Sequence, residues 1–73
     1  MTREELIKKV SSEGYAVDLT LQDDCLYCAA TEERYFLENF EVIMEYDFTE
    51  ANKNRKLRTV KSTEYDLTGY YII

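Results

Sequence analysis

The segment ENFEVIMEYDFTEANKNRKLRTVKS, residues 38–62, decides the fold. In its first half Phe40, Val42, Met44, Tyr46 and Phe48 alternate with Glu41, Ile43, Glu45 and Asp47. A period of two built from aromatic and β-branched residues marks a half-buried strand over 40–48. Thr49 to Asn54 is polar and reads as a loop, and 55–62 reads as the returning strand of an antiparallel hairpin. A register with Phe48 opposite Arg55 sets Asp47 against Lys56, Glu45 against Arg58, Ile43 against Val60 and Glu41 against Ser62. Opposite charges thus line one face, each pair worth roughly 0.2–1 kcal/mol. The other face sets Tyr46 against Leu57, Met44 against Thr59 and Val42 against Lys61. That last pair matches poorly, and a shift by two residues remains open.

This pairing also weighs on the basic cluster. Five of the nine cations fall at Lys53, Arg55, Lys56, Arg58 and Lys61. Lys53, Arg55, Lys56 and Arg58 are candidate anion contacts, but cross-strand partners account for them more simply. With a formal net charge of −6, the chain is not expected to bind nucleic acid, because a phosphate backbone meets a repulsive surface.

Outward from the hairpin, Thr2 and Glu5 fit a capping box, and Leu6, Ile7 and Val10 lie on one stripe of a helix over 3–13. Gly14 suits the left-handed residue that ends it. Tyr15, Val17, Leu19 and Leu21 then alternate with polar or small residues, which predicts a strand over 15–22. Asp23-Asp24 is a turn signal, 25–30 a short strand, and Thr31–Asn39 either a loop or a helical turn. After a turn at 63–66 the chain closes with a strand over 67–73. One helix followed by four or five strands predicts a single α+β domain over 1–73. In it an N-terminal amphipathic helix packs on one face of a meander-like antiparallel sheet.

Both cysteines lie in DDCLYC, residues 23–28, in a C-x-x-C spacing. A structural zinc site needs four ligands, and this chain has two Cys and no His, so carboxylates or a second subunit would have to complete it. A redox pair normally opens a helix, whereas this one sits on a predicted strand. Residues three apart on a strand face opposite sides, about 10 Å from each other, beyond disulfide reach. Both cysteines therefore read as structural, with Cys25 as the candidate reactive thiol. No metal or cofactor is assigned.

Catalysis is not expected either. There is no His for general acid–base work near neutral pH, no phosphate-binding glycine loop and no nucleophile elbow. The opening MTREELIKKV lacks the apolar run of a signal peptide, and no stretch approaches the roughly 20 apolar residues of a membrane span. Both point to the cytoplasm, away from membranes, with the thiols reduced.

Gly14-Tyr15, the alternating strand after it, the acidic turn with Cys25, and F-x-V-x-x-x-Y-x-F at Phe40, Val42, Tyr46 and Phe48 together resemble a known family. It is a family of short Bacteroidetes proteins sometimes labelled phosphoribosylpyrophosphate synthetase. The resemblance spans roughly residues 14–48 and rests on core and turn positions. It implies a cytosolic bacterial protein without an assigned role. The label implies a ribose-phosphate-binding loop that these residues lack, so no catalytic residue follows from it.

Tyr70, Tyr71, Ile72 and Ile73 are the candidate interface. A strand apolar on both faces is either central in its sheet or an edge that another chain covers. The reading is a non-catalytic interaction module that self-associates through its sheet edge, as a homodimer or with another protein partner. The alternative is a small-ligand-binding or thiol-responsive regulator using Tyr and Cys25.

Overall fold

A computed structural model describes residues 1–73. Helix α1 (Arg3–Ser12) is followed by β1 (Val17–Asp18), β2 (Thr20–Gln22), β3 (Cys25–Cys28) and β4 (Glu33–Phe36). A single 3-10 turn (Leu37–Asn39) leads into β5 (Glu41–Glu50), β6 (Lys53–Ser62) and β7 (Leu67–Ile72). The strands form two sheets: a four-stranded one in the order β1-β7-β6-β5 and a three-stranded one in the order β2-β3-β4. All pairings are antiparallel except β1 with β7. The α+β class holds, with a helix packed on a mainly antiparallel sheet; the strands divide between two sheets instead of one meander.

The reason is two-sided burial. Side chains alternate across a strand, so Leu57 and Val60 of β6, like Tyr70 and Tyr71 of β7, point to opposite faces. All four are buried. On one face Leu57, Tyr70 and Phe48 pack with Leu6 and Val10 of α1. On the other Val60 and Tyr71 pack with Leu19, Leu26 and Cys28, carried mainly by the three-stranded sheet. The four-stranded sheet is therefore a middle layer between helix and second sheet.

Helix α1 starts as its sequence requires. The Thr2 amide donates to Glu5 Oε1 at 2.9 Å and the Glu5 amide donates to Thr2 Oγ1 at 3.2 Å. The Thr2 hydrogen bonds hold the Glu5 carboxyl below its ordinary value. At the other end Gly14, at φ +103, lets its amide reach Ser11 O and the Tyr15 amide reach Val10 O, which satisfies two terminal carbonyls.

The strand expected over 15–22 breaks in two. The Leu19 amide still donates to Tyr70 O at 2.9 Å, but β1 before it joins the middle sheet and β2 after it joins the second. This crossing is tight: a Cβ on Gly69 would lie 2.5 Å from Val17 O and 3.1 Å from a Leu19 methyl carbon. Residues 25–30 form a strand only as far as Cys28. Within Thr31–Asn39, the open loop-or-helix segment, Glu33–Phe36 are extended and Leu37–Asn39 supply the helical turn. Tyr65 anchors this segment, its hydroxyl accepting from the Phe36 amide at 3.3 Å and the Asn39 side chain at 3.1 Å.

The hairpin register holds from Phe48–Arg55 through Met44–Thr59 and then departs from expectation. Ile43 is an unpaired bulge residue, so Val42 faces Val60 and Glu41 faces Lys61. The bulge removes the Val42–Lys61 mismatch and puts an acid opposite a base. The loop expected over 49–54 shrinks to Ala51-Asn52, both left-handed at φ 51 and 63, the backbone of a two-residue hairpin turn.

Two stability measurements follow. Gly69→Ala should lower the unfolding free energy by about 1–3 kcal/mol in urea titration, because the methyl meets backbone that cannot yield. Ala51→Gly should raise it by about 1 kcal/mol, because a left-handed alanine is strained.

Candidate functional site

The four-stranded sheet ends on β5, which has no neighbour on its outer side. The turn closes on the Glu50–Lys53 pair, and in a two-residue hairpin that pair and every second one beyond it exchange backbone hydrogen bonds. Phe48, Tyr46 and Met44 thus turn their polar backbone inward. Thr49, Asp47 and Glu45 turn theirs outward, and no backbone hydrogen bond outside the ladders reaches them. The bulge is pinned by Thr59, whose buried hydroxyl accepts from the Met44 amide at 3.0 Å. Beside it Val42, Ile43 and Met44 stand 48%, 38% and 51% exposed, three consecutive apolar side chains on an open edge.

The acidic face of β5 is matched by its neighbour. Lys56 Nζ lies 2.8 Å from Asp47 Oδ1 and 3.9 Å from Glu45 Oε1, and Arg58 Nε donates to Glu45 Oε1 at 3.2 Å. A hydrogen bond to Asp47 raises the Lys56 pKa. The Tyr71 hydroxyl, and then Glu45, raise that of Arg58. Arg55 lies on the opposite face and donates from Nε to Ile73 O at 3.2 Å. Lys53, Arg55, Lys56 and Arg58 are therefore spread over both faces instead of gathered toward one anion.

The last strand is internal. β7 lies between β1 and β6, with Tyr70 and Tyr71 buried and Ile72 half-buried, and only the terminal Ile73 exposed. Of the two positions open to an apolar strand, β7 takes the central one, and the free edge of the sheet belongs to β5. The Val42–Lys61 mismatch was the one sequence signal of the bulge that exposes Val42 to Met44.

Cys25 and Cys28 are unpaired. Cys25 is half-buried in a groove of about 590 Å³ between the β2–β3 turn and the 3-10 turn, with Asp23, Asp24 and Glu38 at its rim. Phe36, 59% exposed, and Leu37 supply its apolar wall, and the Leu37 amide ties the two turns together by donating to Asp24 O at 2.9 Å. Cys28 is 5% exposed and belongs to the core. Hydrogen bonds from the Thr31 side chain and backbone hold its thiol below the ordinary value.

Comparison with known protein families, with curated proteins and with solved structures finds no match to this chain. No helix is long and apolar enough to cross a membrane.

Access should decide which thiol reacts, because a buried thiol meets no reagent even where hydrogen bonds lower its pKa. Iodoacetamide at neutral pH should modify Cys25 alone in the native protein and reach Cys28 only in denaturant. Peptide mapping by mass spectrometry reads this directly, and prior reaction at Cys28 would mean that its layer opens readily.

Proposed function

We propose that this chain is a small, non-catalytic, cytoplasmic interaction module that self-associates by strand addition at β5. One observation carries the reading: a ten-residue strand with its outer backbone unpaired and Val42, Ile43 and Met44 exposed beside it. Unpaired strand edges template pairing with another chain. The core supports the same conclusion. Only 13 of 73 residues are buried, and a core this small gains from covering apolar surface with a second copy.

A second reading rests on the groove beside Cys25. Its half-buried thiol, exposed Phe36 and carboxylate rim fit a thiol-responsive or ligand-binding regulator. Rapid alkylation that changes the association state would favour it over a purely structural edge.

The deciding measurement is molar mass by light scattering across a concentration series, for the natural chain and for Met44→Lys. The natural chain should form a dimer. A lysine at the edge should weaken it about tenfold or more, equivalent to about 1.4 kcal/mol, while the far-ultraviolet circular dichroism stays unchanged. A natural chain that stays monomeric at every concentration rejects self-association.

A further inference from the structure

The three-stranded sheet has an outer face that neither α1 nor the four-stranded sheet covers. Leu26 and Cys28 point into the core, so Cys25 and Tyr27 point outward. Register places Phe36 beside Cys25 and Arg34 beside Tyr27 on that same face. Arg34 lies over the Tyr27 ring, 5.9 Å from its centre. Phe36 has no such cover. It is 59% exposed and stands with Leu37 as the wall of the groove of about 590 Å³.

Charge sets this face apart from β5. Residues 20–39 carry five carboxylates, Asp23, Asp24, Glu32, Glu33 and Glu38, and one cation, Arg34. On β5, Glu45 and Asp47 have partners on β6, whereas the ion pairs of the chain include none of these five. Asp23, Asp24 and Glu38 line the groove itself. They do not gather as metal ligands do, since no three metal-ligating side chains of the chain converge. An apolar centre inside a charged rim is the layout of a docking site for another chain, and the groove is within the size range of ligand-binding clefts.

We propose that this groove docks a basic polypeptide segment of another protein, with an apolar side chain against Phe36 and Leu37 and lysines or arginines at Asp23, Asp24 and Glu38. Charge selects that occupant. A second copy of this chain brings a net charge of −6, and nucleic acid brings phosphates, so both meet the rim with the wrong sign. A small cation alone would leave the apolar wall uncovered. The site is separate from β5, and neither association requires the other.

The probe is the acetylated peptide Lys-Arg-Leu-Arg-Lys, titrated by calorimetry at about 0.05 M salt, where screening is weak. It should bind about tenfold more tightly than Lys-Arg-Ser-Arg-Lys, and it should slow the alkylation of Cys25 by iodoacetamide. Phe36→Ser should weaken binding about tenfold, and the exposure of this side chain lets the fold survive the change. Asp23→Asn with Asp24→Asn should weaken it by a similar factor, because asparagine accepts the left-handed backbone of Asp23 at φ 55 and only charge is lost. Removing two exposed carboxylates elsewhere, Glu4→Gln with Glu13→Gln, should change it by less than about twofold. Equal binding of the serine peptide, or equal losses from the two charge-removing pairs, would mean diffuse attraction to an acidic protein and overturn the site. Cys25 alkylation that saturating peptide leaves unchanged, or no binding at all, overturns it as well. Arginine amide binding as tightly as the peptide overturns the polypeptide partner in favour of a small cation. A natural chain that stays monomeric bears on β5 alone and leaves each of these outcomes readable.

Discussion

Everything in this fold depends on two strands that bury side chains on both of their faces. β6 and β7 lie together in the middle sheet, and neither face of that pair can be left to water. Leu57 and Val60 are fully buried on opposite faces, as are Tyr70 and Tyr71. A chain of this length has few residues with which to build two covers. It builds one from ten residues of helix and the other from three strands of three or four residues each. The helix supplies Leu6 and Val10, and the short sheet supplies Leu26 and Cys28, with Leu19 at the crossing between sheets. Cys28 fills a core position among aliphatic and aromatic neighbours, as free cysteines commonly do.

The elements with strong periodicity were legible in the sequence. The capping box, the stripe of α1 and the hairpin pairing from Phe48–Arg55 to Met44–Thr59 follow from side-chain spacing and charge alone. The divided β-structure was not. ERYF, residues 33–36, carries two charges and pairs only through β3, so nothing local marks it as a strand. The break at Leu19 is a tertiary event. It depends on Gly69, fifty residues away, leaving room for the Val17 carbonyl, and no window of sequence contains both. Even so, the two-sided apolar character of YYII already required a second cover, and a lone helix shields only one face of a sheet.

The candidate edge was legible in part for the same reason. Charge pairing showed that β5 and β6 are neighbours, but strand order decides which is exposed, and β1 supplied that decision by pairing in parallel with β7. The bulge at Ile43 then turned an awkward sequence match into an exposed apolar tract. Bulges are a common means of blunting an edge, since they interrupt the ladder that a neighbouring chain would extend. Here the interruption sits at one end of β5, and the run from Met44 to Glu50 stays regular.

That asymmetry bears on the form the proposed association would take. A sheet with two long free edges invites head-to-tail growth, because each added copy offers a fresh edge. This sheet ends on one side in the two residues of β1, and the second sheet ends in strands of three and four residues. Only β5, ten residues long, is an extended template. Pairing it with the same strand of a second copy uses that template on both molecules at once, so isologous strand addition closes at two. The Lys56 and Arg58 contacts matter in the same way. By neutralising Glu45 and Asp47 from the neighbouring strand, they leave an edge that neither repels its own copy strongly nor recruits cationic chains in general. A long edge whose acids are paired from the neighbouring strand suits the proposed closed pairing, whereas the other margins, β1, β2 and β4, offer only two to four residues each.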